Sequence, residues 1–262
     1  MLKNTLIAVS LGILAFGVGR PAAAQTTFLN EYGLLSGGRV AQGVPGSNIP
    51  NNALQAQKLK DEPKNTLVFG GNYSRQDVGS GHLNTWGGGL GLIGTQNPEH
   101  PWQLTASAFN TSVDIGNFDD DFFGWSVGGK YTISLPKSND LPAVSVVGTY
   151  SDVNELGESL FLGLAADQRI TPNLYITGNL GWLHAENGGT ENAFFGGVGA
   201  TLTSGRFPRF SISGDFVPEN DVTGEDLWTI GALYAVNDSV AIRVGGGKHS
   251  LVFANLYVKR AK

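Results

Sequence analysis

From about residue 64 to its end, the chain repeats one local design: segments of roughly ten residues in which apolar side chains alternate with small or polar ones, separated by turn formers. In Asn173 to Leu183, Leu174, Ile176, Gly178, Leu180 and Trp182 fall on one face, and Tyr175, Thr177, Asn179 and Gly181 on the other. Around Phe210, the series Phe210, Ile212, Gly214 and Phe216 opposes Arg209, Ser211, Ser213 and Asp215. Trp228, Ile230, Ala232, Tyr234 and Val236 share a side, and Phe123, Trp125, Val127, Gly129, Tyr131 and Ile133 oppose Gly124, Ser126, Gly128, Lys130 and Thr132. A period of two is the signature of a strand with one apolar face. No intervening stretch sustains a helical period, so the chain is all-β and its strands must find one another.

The spans that read as strands are 64–75, 83–95, 101–110, 122–135, 141–151, 158–167, 172–184, 192–204, 207–217, 226–236, 239–248 and 250–259. The connections alternate in kind. Gln96–His100, Pro136–Asp140, Gln168–Thr171, Ser204–Arg206 and Asn237-Asp238 are short and rich in tight-turn residues. Gln76–His82, Thr111–Asp121, Asp152–Gly157, Ala185–Glu191 and Pro218–Glu225 are longer and mostly more acidic, and only the connection near Lys248 to Ser250 breaks that rule. An antiparallel sheet of about twelve strands with short turns at one end and long loops at the other is the expectation.

Composition narrows what such a sheet can be. Gly is 38 of 262 residues and charged residues are 15% of the chain, against about 25% in ordinary soluble domains. With 0 Cys, no disulfide holds the fold. The start reads as an export signal: Lys3, then the apolar run Leu6–Val18, then Arg20-Pro21-Ala22-Ala23-Ala24-Gln25, with cleavage expected after Ala24. That run is short of the ~20 residues a membrane helix needs, and with no Cys after it, a lipid-anchored mature protein is excluded. Beyond the signal no apolar stretch approaches helix-spanning length, so entry into a membrane requires a closed barrel. The net charge of −5 argues against nucleic acid as a partner.

The non-apolar face decides between a soluble and a membrane barrel. It carries Lys130, Asn179, Arg209, Asp215 and Arg243 among many Ser, Thr and Gly, where a solvated sandwich face would hold far more Lys and Glu. Small and hydroxylated residues suit a narrow wet lumen. Trp102, Phe122, Phe123, Trp125, Trp182, Phe210, Tyr234 and Tyr257 lie near segment ends, as interfacial girdles require. Over residues 64–262 the pattern resembles bacterial outer-membrane β-barrel proteins of the porin-like kind, without a diagnostic motif. That resemblance implies an antiparallel transmembrane β-barrel in the outer membrane of a Gram-negative cell, with outer-membrane lipid and the barrel-assembly machinery as partners. Many such barrels end on an aromatic residue, whereas this chain ends Tyr257-Val258-Lys259-Arg260-Ala261-Lys262. The domain reading is a signal peptide at 1–24, an irregular periplasmic or plug segment at 25–63 with a short helix possible over Asn52–Lys60, and the barrel at 64–262.

Candidate chemistry is sparse. His82, His184 and His249 lie near the expected outer loops, but no spacing links them to Ser80 or Ser250 as a nucleophile pair. Asp119–Asp121 and the acidic residues from Glu219 to Asp226 lack a calcium-loop pattern, and Gly87–Gly89 and Gly245–Gly247 precede no helix. No cofactor and no metal are expected, and the chain does not read as an enzyme. The lumen-lining set is Lys130, Asp167, Arg169, Arg209, Asp215 and Arg243, charges that set ion preference in pores or pair to brace the wall. The expected function is an outer-membrane pore for ions or small solutes. A non-conducting structural or adhesion barrel with interacting outer loops is the alternative, and a barrel hydrolase the third.

Overall fold

The computed structural model describes residues 66–261 apart from 79–80, 95, 98, 117, 135–140, 155–156, 172–173, 187–189, 204–209, 220–225, 237–239 and 249. The expected signal peptide and the 25–63 segment, with its short helix, lie outside the described residues. The strands are β1 (Thr66–Val78), β2 (Gly81–Gly94), β3 (Trp102–Ile115), β4 (Phe118–Ser134), β5 (Ala143–Val153) and β6 (Gly157–Thr171). They continue as β7 (Leu174–Glu186), β8 (Thr190–Thr203), β9 (Phe210–Val217), β10 (Leu227–Ala235), β11 (Val240–Gly247) and β12 (Leu251–Ala261).

Each strand pairs antiparallel with its sequence neighbours, and β1 pairs with β12 from Thr66↔Ala261 to Arg75↔Val252, closing the barrel. Closure leaves no unpaired edge, which is what a sheet needs in order to sit in lipid. The strand count is even, so both ends of the barrel domain lie at one rim, here called lower. The strands are strongly tilted. The row of partners that begins at Ala200, near the lower end of β8, runs through Gly214, Ile230, Gly246, Val252, Arg75, Asn84 and Ser112 to Asp121, near the upper tip of β4. A row perpendicular to the strands therefore climbs the wall, as barrel closure requires.

The two faces separate cleanly by alternation. Outward positions carry exposed apolar side chains all round the ring, among them Leu104 at 55%, Leu180 at 61% and Phe194 at 78%. Ile176, Ile212, Ile230, Val244 and Val258 belong to the same belt. In water a continuous apolar band of this extent would drive aggregation, whereas in hydrocarbon it is the matching surface. The inward series on β5 shows the contrast: Ala143, Ser145, Val147, Thr149, Ser151 and Val153 are all buried.

Two expectations are corrected. The supposedly long upper connections shrink to 79–80, 116–117, 154–156 and 187–189, because β1 to β8 run on through residues read as loop; only 218–226 stays long. Asp114, Asp119, Asp120 and Asp121 are paired strand residues of a tall β3–β4 hairpin. The lower connections 95–101, 135–142 and 204–209 are the longer ones. Phe122 does not belong to an outer girdle. Neighbours on a strand face opposite ways, so with Phe123 outside at 47% exposure, Phe122 is buried inside at 5%.

Candidate functional site

The candidate site is the inner wall. Its chemistry is mostly uncharged: hydroxyl groups, glycines and apolar side chains such as Leu83, Val113, Val147, Phe161 and Leu233. The hydroxyls meet across strands, Thr85 with Thr111 at 2.9 Å, Ser107 with Ser126 at 2.7 Å, Ser151 with Ser159 at 2.7 Å and Thr132 with Ser145 at 3.2 Å. These pairs satisfy buried polar groups without fixed charge. Thr149 differs, since its Oγ1 is buried with no hydrogen-bond partner.

Of the sequence-expected charges, Lys130 on β4 and Arg243 on β11 are inward and buried, at 3% and 4% exposure. Register brings them to one level. The row from Arg243 passes Asn255, Asn72, Gly87 and Phe109 to reach Gly124, six residues above Lys130 on β4. Going from β11 to β4 by way of β12, β1, β2 and β3 crosses five strand spacings, about 24 Å at ~4.8 Å each. At a tilt of about 40° such a row climbs about 20 Å along the strand, which is about six residues at ~3.3 Å. On that geometry Lys130 and Arg243 lie at about the same level of the inner wall, five strands apart. Asp167 pairs by register with Ala143 and Thr177, Asp215 with Gly199 and Thr229, and Arg169 with Tyr175. Arg209 lies outside the described residues.

Sequence reading missed what holds the bulky inner side chains. A Cβ built on Gly124 would stand 2.3 Å from Phe109 Cζ, and one on Gly231 would stand 2.9 Å from Arg243 Nε. The ring and the guanidinium each lie against a glycine of the adjacent strand. At Gly163 and Gly181 a Cβ would meet both the Phe161 ring and strand backbone. Outside, the Trp102 indole covers Gly94 in the same manner, an aromatic shield over a bare stretch of strand.

The two rims differ in charge. The upper one gathers Asp77, Asp114, Asp119–Asp121, Glu186 and Asp226, with Arg75 3.8 Å from Asp77 and Lys248 Nζ donating to the Asp226 carbonyl at 2.7 Å. The histidines serve there as outer-surface groups. His82 lies 3.8 Å from Asp114, and His184, stacked on Trp182, lies 3.4 Å from Glu186 and 2.9 Å from Asn192. His100 sits at the lower rim against Tyr131 and the Thr132 carbonyl. Among the described residues no group of three or more His, Asp or Glu is placed to hold a metal ion.

No family model matches the chain, and no curated protein matches it in sequence. Its structure does have relatives. An outer membrane channel from Pseudomonas putida F1 superposes with a TM-score of 0.53 at 10% identity, over 76% of this chain and 96% of that one. The KdgM porin gives 0.51 at 8% identity, over 73% and 97%. The translocator domain of the autotransporter NalP from Neisseria meningitidis gives 0.50 at 10% identity, over 80% and 95%. Closed antiparallel pairing, an outward apolar belt and these superpositions agree: the chain has the fold of bacterial outer-membrane β-barrels.

Proposed function

We propose that this barrel is an outer-membrane pore for ions or small solutes, with a weak preference for anions. Fold alone does not choose this function, since the similar barrels include a channel, a porin and a translocator domain. What supports the reading is the pair of inward cations Lys130 and Arg243, which the strand register puts at about one level of an inner wall that otherwise carries hydroxyls, glycines and apolar side chains. Cations on the inner wall attract anions through a low-dielectric barrel, where screening is weaker than in bulk. Counted with Arg169 and Arg209, they outnumber Asp167 and Asp215 on the expected wall. The acidic upper rim opposes this only at the mouth, within about 10 Å at 0.1 M salt. That rim also favours a second reading, a non-conducting barrel whose projecting hairpins contact a partner outside the cell. Planar-bilayer recording of the purified protein across a salt gradient separates the two. Conductance with an anion-side reversal potential supports the pore; a silent, correctly folded barrel supports the second.

A further inference from the structure

Long side chains on a lumen wall have two options: to project across the bore or to lie along the wall. Lying along it requires a neighbour without a Cβ. Phe109 and Arg243 both take that option. The three atoms nearest a Cβ on Gly124 all belong to the Phe109 ring, at 2.3, 2.6 and 3.1 Å. The three nearest a Cβ on Gly231 all belong to the Arg243 guanidinium group, at 2.9, 3.1 and 3.2 Å. Other inner glycines differ in kind: a Cβ on Gly87, Gly163 or Gly181 would come within 2.6 Å of a backbone carbonyl oxygen, from Ala108, Leu180 and Leu162 respectively. Those glycines serve the sheet itself. At Gly124 and Gly231 the conflict is with a movable side chain, and the added methyl would displace it.

We infer that Gly124 and Gly231 set how far Phe109 and Arg243, at 2% and 4% exposure, reach into the barrel interior, and so the passage and the charge placement that the interior leaves to a solute. This rests on the pore reading. Phe109 is the direct cross-strand partner of Gly124, so its ring crosses one strand spacing and stays flat. Gly231 neighbours Gly245 rather than Arg243 in register, with Leu233 opposite Arg243, so the guanidinium reaches diagonally along β10. A methyl at either seat lifts the group off the wall toward the lumen axis. At Gly124 that narrows the bore; at Gly231 it moves a cation without changing the number of charges.

The test is a pair of double-mutant cycles read by conduction. Gly124→Ala is expected to lower single-channel conductance and the largest polyethylene glycol that enters the pore. Phe109→Ala raises both, and adding Gly124→Ala to Phe109→Ala changes nothing more. Gly231→Ala is expected to shift the reversal potential, and to leave it unmoved in an Arg243→Ser background. Should Gly124→Ala fail to fold, the unmodified protein in micelles is expected to show nuclear Overhauser contacts between the Phe109 ring and the Gly124 α-protons. Conduction unchanged by either glycine substitution, an effect of Gly124→Ala that persists without the ring, or absence of those contacts overturns the seats alone. An unmodified protein that folds but passes no current overturns the pore reading and the bore claim with it.

Discussion

The hydroxyl of Thr85 meets that of Thr111 at 2.9 Å inside the barrel, one strand apart and out of reach of solvent. Changing either residue to Val leaves the other hydroxyl buried and unpaired, at a cost of about 1–3 kcal/mol. The double Val variant is expected to lie closer to the parent than either single one. Urea unfolding in lipid vesicles measures all three, and additive losses would show that the pair is not coupled.

Thr149 presents the opposite case. Its buried Oγ1 has no partner, so Thr149→Val removes an unsatisfied polar atom while keeping side-chain volume. The variant is expected to match or exceed the parent in stability in the same unfolding assay. A loss comparable to that of Thr111→Val would mean that the hydroxyl is bonded in the membrane-embedded protein.

Belt and wall must respond differently to charge. Ile176→Arg and Ile212→Arg put a guanidinium against lipid and are expected to cost roughly 2–4 kcal/mol near the midplane. Thr177→Arg and Ser211→Arg, one residue along in each strand, should cost much less. Equal losses at all four sites would mean that the two faces do not differ as lipid and wet surfaces.

Orientation follows from the even strand count and the charge of the rims. A cysteine in place of Asp119, exposed on the β4 side of the tall hairpin, is expected to react with a membrane-impermeant maleimide on intact cells. A cysteine at Ser138, in the 135–142 connection, should react only after the outer membrane is opened. The reverse pattern inverts the barrel.

Selectivity has its own signature. Lys130→Ser combined with Arg243→Ser is expected to shift the reversal potential toward cations, and the parental preference should fade as salt rises, because screening shortens with ionic strength. Cation selectivity in the unmodified protein would contradict the positive wall.

Much of this architecture is legible in the sequence because a strand with one face in lipid must alternate. Ile176, Leu180 and Trp182 on β7, Ile212 and Phe216 on β9, and Trp228, Ile230 and Tyr234 on β10 all stand outside, as their spacing requires. Where strands end is harder to read. Asp114 and Asp119–Asp121 look like loop residues, yet they extend β3 and β4, since a paired strand above the membrane tolerates charge that one within it does not. The seats were beyond sequence reading for another reason. Phe109 meets Gly124 only through the β3–β4 register, which depends on where the chain turns at Gly116, a glycine at φ 66°. The shared level of Lys130 and Arg243 depends further on strand tilt, a property of the closed ring that no single segment carries.

The β1–β12 pairing has a consequence for assembly. Every other contact in the ring is a hairpin between sequence neighbours, whereas Thr66 and Ala261 meet across almost the whole domain. Closing a chain loop tens of times longer than a hairpin's costs roughly 3–4 kcal/mol more in chain entropy. Until Leu251–Ala261 arrives, the growing sheet offers two raw edges and an apolar flank on which a second copy could grow. The last step of folding is therefore also the one most exposed to error. A chain truncated before β12 is expected to be lost to aggregation rather than to persist as an eleven-stranded sheet.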